Sequence, residues 1–184
     1  MRKLIVWEFL SLDGVMESPE KWVDFYAGDD VSEFIRDENL SCDAMILGRL
    51  TYEAFITFWP FQMHNEFGFA EKLNAMPKYV VSSTLKSADW HNTSIIHGDL
   101  VQEITALKAQ PGGHIGMTGS ATLVQELLPT GVIDELHLLV FPLTLGKGLH
   151  LFADGPALGM KLVESRVFAS GVVLLSYQVD GKES

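Results

Sequence analysis

Residues 44–53, AMILGRLTYE, combine side chains that can do chemistry with a spacing that positions them. Ala44 to Leu47 reads as a short buried strand, Gly48 as a tight turn, and Arg49, Thr51 and Glu53 as the opening of an amphipathic helix. Such a junction is suited to holding an anion. A helix N-terminus presents unpaired N–H groups and the positive end of the helix dipole, both of which favour a phosphate. Arg49 adds a guanidinium that can grip two oxygens at once, and Thr51 adds a hydroxyl.

Two further strand exits have a similar character. Ser82, Ser83 and Thr84 follow the apolar run Tyr79-Val80-Val81, with Lys86 close behind. In Gly116–Thr122, GMTGSAT, Ser120 can cap a helix that opens with Ala121 and Thr122, while Gly119 permits a close backbone approach. Each junction alone also reads as ordinary structure: a strand–turn–helix with a surface arginine, a polar strand exit, a helix cap. Ligands of open α/β sheets bind beyond the carboxyl ends of strands, so three such ends suit a ligand with separated phosphates, such as a dinucleotide. No G-x-G-x-x-G follows the first strand, which disfavours the ordinary dinucleotide-binding fold.

The elements that must carry these junctions alternate. Residues 3–10 read as a first strand, Ser11 to Gly14 as a turn, and a helix is expected to start near Asp29 or Asp30, whose acids suit its positive end. A strand over 44–47 and a helix over about 49–57 follow, and 58–76 reads as irregular or helical. Strands are expected from Lys78 into the polar turn at Ser83, at 94–96 and at 115–117. Helices are expected over 99–109 and 121–128, closed by Pro111-Gly112-Gly113 and by Pro129. A long strand over 133–141 precedes an antiparallel pair, 161–168 and 171–179, around Ser170-Gly171. The pattern predicts one α/β domain over 1–184, with three layers, a mixed and mostly parallel central sheet, helices on both faces and a C-terminal antiparallel hairpin.

Composition narrows the function. The 184 residues carry a formal net charge of −11, which argues against general affinity for nucleic acid and requires any anionic ligand to be held by a local cluster of positive groups. No apolar run approaches the ~20 residues that span a bilayer, and the four apolar residues after Arg2 and Lys3 end at Glu8, so the start reads as a strand. Cys42 is the single cysteine, which excludes a disulfide framework and a thiolate metal site; a reducing cytoplasm is the expected location. The six histidines show no i, i+4 pair, and no metal is expected. Phe55, Phe58, Trp59, Phe61, Phe67 and Phe69 either wall an aromatic pocket or form core.

Several motifs then occur in order: Leu12-Asp13-Gly14; Leu47-Gly48-Arg49-x-Thr51-Tyr52-Glu53; Lys78-x-Val80-Val81-Ser82-x-Thr84-Leu85; Gly119-Ser120-Ala121-x-Leu123; and Asp134-Glu135-Leu136 through Pro142-x-x-Leu145-Gly146-x-Gly148 to Leu151-Phe152. From about residue 3 to 178 the chain resembles the reductase domain of the bifunctional riboflavin-biosynthesis deaminase-reductase, within the dihydrofolate-reductase-like superfamily. Its length and pattern are similar to the stand-alone members.

The resemblance implies an NADPH-dependent oxidoreductase acting on a planar heterocycle of pyrimidine or pterin type. It implies cofactor phosphates at Gly48, Arg49 and Thr51, with Arg49 at the adenosine 2′-phosphate. The adenosine side would meet Ser82, Ser83 and Lys86, and the pyrophosphate Gly119, Ser120, Ala121 and Thr122. Asp30-Val31-Ser32-x-Phe34-x-Arg36 resembles the helix start that carries the substrate carboxylate of dihydrofolate reductases, which makes Asp30 the first catalytic candidate. Asp13, of the Leu-Asp-Gly turn, is the second; their ordinary readings are a helix-dipole acid and a turn aspartate. A homodimer is expected, through sheet or strand contacts near 133–141. With one cysteine the chain lacks the Pro-Cys-x-x-Cys ligands of the deaminase half, so no deamination is expected of it. Alternatives are a dihydrofolate-reductase-like enzyme of other substrate and a non-catalytic NADPH-binding module.

Overall fold

The computed structural model of the chain describes residues 1–26, 28–62, 68–152, 154–155 and 157–179. Its strands are β1 (Leu4–Ser11), β2 (Cys42–Gly48), β3 (Lys78–Val81), β4 (Thr93–Ile96), β5 (His114–Met117), β6 (Glu135–Phe141), β7 (Met160–Val167) and β8 (Val173–Val179). The α-helices are α1 (Asp29–Ser41), α2 (Arg49–Ile56), α3 (Ala70–Ala75), α4 (Leu100–Ala109) and α5 (Ala121–Leu127). They gather into two compact units: Met1–Leu4 with Phe34–Ser120, and Ile5–Glu33 with Ala121–Ser184.

In the first unit four parallel strands run in the order β4-β3-β2-β5. Ala44 to Leu47 are all buried, as an apolar run in the middle of a parallel sheet must be. The register sets Gly48 beside Val81, Val81 beside Ile96 and Ile46 beside Met117, so the carboxyl ends of all four strands lie at one edge. β2 begins two residues earlier than the apolar run suggests. Buried Cys42 pairs with His114, and a register shift after it accommodates Asp43, whose charge masks the strand in the sequence.

The core of this unit joins Met45, Leu47, Tyr52, Phe69, Leu73, Met76, Val80 and Trp90. It settles part of the aromatic question: Phe69 is core, with Phe55 and Trp59 packed against it, while Phe58 and Phe61 are exposed and Phe67 falls outside the described residues. Lys78 is also inside, only 1% exposed. Its ammonium donates to the carbonyls of Leu73, Asn74 and Met76 at 2.9, 2.9 and 2.8 Å, the orphan acceptors at the end of α3, and stands 4.6 Å from the Trp90 ring. Burial pulls its pKa down to about 8.

The second unit orders its strands β1-β6-β8-β7. β1 and β6 are parallel, from Ile5 beside Glu135 to Ser11 beside Phe141. β8 runs antiparallel to both β6 and β7. The β7–β8 turn closes with the Phe168 N–H donating to the Val172 carbonyl at 2.9 Å, and Gly171 at φ +87° supplies the left-handed residue that such a loop needs. Of the strand pairs described in the two units, four are parallel and two antiparallel. The α/β class, the mixed and mostly parallel pairing and the C-terminal antiparallel hairpin therefore agree with the sequence.

Candidate functional site

In the first unit the Gly48 and Gly119 junctions meet. Gly48 caps α2 in an extended conformation (φ −70°, ψ 156°), and no side chain caps the helix N-terminus. A Cβ at Gly48 would lie 2.7 Å from Ser120 Oγ and 3.2 Å from Ser120 N, so only glycine lets the two backbones approach this closely. Gly119 is the reciprocal case. It holds φ +54°, and a Cβ there would run into Thr51 Oγ1 and come within 3.4 Å of Thr51 Cβ. The Gly119–Ser120 peptide is cis. Thus Gly48, Thr51, Gly119 and Ser120, read from two separate motifs, form one cradle.

Arg49 stands at the start of α2, half-exposed, with Nη1 donating to both carboxylate oxygens of Glu53 at 2.8 and 3.0 Å. An exposed i, i+4 pair of this kind is worth only about 0.3–0.5 kcal/mol, so a doubly charged phosphate can displace Glu53 from the guanidinium. Ser82 follows Val81 at the same sheet edge as Gly48. Its hydroxyl is already committed, accepting the N–H groups of Thr84 at 3.2 Å and Leu85 at 2.9 Å, and its carbonyl contacts His97 Nδ1 at 2.8 Å. Ser82 therefore shapes the turn, while Ser83, Thr84 and Lys86 are exposed at that exit. Ala121 and Thr122 open α5, the first buried and the second exposed.

The two acids belong to the second unit. Asp13 accepts from Ser11 Oγ at 2.6 Å and from the N–H groups of Leu145 and Gly146 at 3.1 and 2.7 Å. The Ser11 hydroxyl first, then these two amides, lower its pKa to about 2. At neutral pH Asp13 is thus an ionised acceptor with no proton to give. Glu17 repeats the device by accepting the Leu149 N–H at 2.9 Å. Together they pin the loop 142–149 to the turn after β1. Asp30 accepts from Val31 N at 2.9 Å and from Ala169 N at 2.8 Å, which ties the start of α1 to the β7–β8 turn.

Motif reading missed an aromatic wall in this unit. Trp7 packs edge-on against Phe9, and Phe9, Trp22 and Tyr26 each pack against Phe141. Trp7 Nε1 is buried with no hydrogen-bond partner among the described residues. The period-two spacing of Trp7 and Phe9 is the signal that could have revealed a shared face. Cys42 is buried, which raises its pKa to about 11 and leaves it an unreactive thiol. Among the described residues no three His, Cys, Asp or Glu side chains are grouped to hold a metal, and no helix is long and apolar enough to cross a membrane.

The α/β fold is shared with solved proteins. A putative riboflavin biosynthesis protein from Shewanella sp. PV-4 superposes with a TM-score of 0.78 at 22% identity, over 97% of this chain and 99% of that one. Dihydrofolate reductase from Enterococcus faecalis, solved with NADP(H), superposes at 0.62 and 17% identity, over 96% and 94%. The fold is therefore dihydrofolate-reductase-like. In sequence, the uncharacterized protein YyaP of Bacillus subtilis (strain 168) is 30% identical over 186 residues, 98% of this chain and 96% of that one. Residues 2–174 match the RibD C-terminal domain model, and the chain belongs to that family. This membership sets it among reductase domains of the riboflavin-pathway type.

Proposed function

We propose that the protein is an NADPH-dependent reductase of a planar heterocycle, of the pyrimidine or pterin type. The observation that carries this reading is the cradle of Gly48, Thr51, Gly119 and Ser120 at the carboxyl edge of four parallel strands. Backbone brought this close, beside an uncapped helix N-terminus and an arginine, has the form that a phosphate-bearing cofactor requires. The residues present fit the group. Gly48, Thr51, Gly119 and Ser120 would hold its pyrophosphate, Arg49 its 2′-phosphate, and Ser83 and Lys86 its adenosine side.

When bound, the cofactor supplies a two-electron reduction. The chain's own residues bind and orient. Arg49 exchanges the Glu53 carboxylate for a phosphate. Asp30 is the carboxyl proposed to serve the substrate, releasing the backbone N–H groups that it now accepts. Asp13, being ionised, holds the loop 142–149 in place. Of the aromatic cluster, Trp22 and Phe141 are core, and half-buried Phe9 and Tyr26 offer the flat surface for a heterocycle.

The test is a fluorescence titration with NADPH and NADH in parallel on wild type and Arg49→Ala. Wild type binds NADPH the more tightly. The variant loses tenfold or more in NADPH affinity while NADH changes little, because only NADPH carries the phosphate that a charge-assisted bidentate contact would hold. Equal losses for both cofactors would refute the assignment of Arg49, and saturable binding of neither would refute the reductase reading.

A further inference from the structure

We propose that His97 is a specificity residue for the cofactor: its protonated imidazole joins Arg49 on the adenosine 2′-phosphate, so that the choice of NADPH over NADH depends on pH. This role rests on the NADPH reading above and adds to it a residue and a pH dependence. Gly48, Val81 and Ile96 stand in register on β2, β3 and β4, so Arg49, Ser82 and His97 are the next residues at three adjacent strand exits. The pairing runs one residue further on the outer side, where the Ser82 N–H donates to the Ile96 carbonyl at 3.3 Å. With strands spaced about 4.8 Å apart, Arg49 and His97 flank Ser82 at a separation of about 10 Å along the edge. A guanidinium and an imidazole can close that span on one phosphate.

The ring is oriented before any ligand arrives. His97 Nδ1 lies 2.8 Å from the Ser82 carbonyl oxygen. A carbonyl oxygen only accepts, so Nδ1 carries a proton in either charge state, and the character of Nε2 follows the charge. In the neutral ring Nε2 is a lone pair, which a phosphate oxygen avoids. In the protonated ring it is an N–H donor with positive charge, which a phosphate oxygen seeks. His97 is exposed, and its Nε2 has no hydrogen-bond partner among the described residues. Histidine is the side chain that ordinarily changes charge between pH 5 and 8.

The other charged groups of this exit cannot give the same response. Lysine ordinarily stays charged over that range and arginine always does, so Lys86 and Arg49 would hold a phosphate without regard to pH. On α4, Asp99 caps the helix, accepting from Gln102 N at 3.1 Å and from Gln102 Nε2 at 3.2 Å. Glu103 Oε1 is 3.7 Å from where Gly98, the residue after His97, would carry a Cβ. On α2, Glu53 is paired with Arg49. Acids so placed favour the charged ring. The capped N-terminus of α4 is closed to a phosphate, which leaves the imidazole as the titrating contact of this edge.

The test is a titration of fluorescence with NADPH and NADH at pH 6 and pH 8, on wild type and His97→Asn. The asparagine amide can still donate to the Ser82 carbonyl but has no atom in place of Nε2. At pH 6 the variant binds NADPH more weakly than wild type by about threefold or more, at pH 8 the two agree, and NADH affinity is the same in both. A phosphate monoester itself takes up a proton near pH ~6, so in the variant NADPH binding weakens in acid, opposite to the trend the ring imposes. Should His97→Asn fail to fold, His97→Gln removes the same charge. A variant with the pH profile of wild type, or one weakened equally for both cofactors at both pH values, overturns the role of His97 and leaves NADPH binding standing. Wild type that binds neither cofactor at either pH overturns the NADPH reading, and the role of His97 with it.

Discussion

The cradle of the first unit and the clamp of the second hold their backbones by opposite means. At Gly48 and Gly119 two segments touch because side chains are missing; a single added carbon would meet Ser120 or Thr51. At Asp13 and Glu17 two segments are joined because side chains are present, each carboxylate accepting loop N–H groups more than 130 residues away in sequence. The first arrangement lets bare main chain approach main chain, and the second ties loop N–H groups to carboxylates. Proximity made by removing side chains suits a site, and proximity made by adding them suits a frame.

This contrast can be broken at three points. Gly119→Ala should have the largest effect, because it forces a Cβ onto Thr51 at a positive φ. The expected cost is about 1–3 kcal/mol of stability, with NADPH affinity reduced tenfold or more in the titration described above. If Gly119→Ala instead binds NADPH as wild type does, the cradle is not the cofactor site.

Asp13→Asn should leave NADPH affinity unchanged and speed amide exchange at Leu145 and Gly146, read by hydrogen-exchange NMR. Its pH signature has a definite sign. The native carboxyl titrates at about 2 against an ordinary 3.8, so its contribution is complete above about pH 4 and is lost as pH falls through 2. Acid unfolding of the variant should lack that component, and identical acid profiles for variant and wild type would contradict the clamp. Glu17→Gln should have the smallest effect, confined to faster exchange at Leu149.

Local signals made half of this contrast legible in advance. A strand, a glycine and a helix start are adjacent in sequence, so Gly48, Arg49, Thr51, Gly119 and Ser120 could be found and their convergence argued from strand ends. The clamp was not legible, since nothing near Asp13 announces Leu145 and Gly146, and the same holds for Asp30 and Ala169. Ser82 is a subtler case. Its type and place were right for a ligand, yet its hydroxyl serves Thr84 and Leu85. Burial is also hidden when polar residues interrupt the pattern, as Asp43 does in β2, and as Lys78 does by opening an apolar strand.

Lys78 makes the first unit its own gauge of local opening. Acylating and methylating reagents attack only an uncharged amine they can reach. Its pKa near 8 makes the amine partly neutral in mildly alkaline buffer, but the core and the three carbonyls shut reagents out. Modification at this position must therefore wait for the end of α3 to part from β3. Its rate, followed by mass spectrometry beside that of exposed Lys86, reports how often the end of α3 lifts from the amino end of β3.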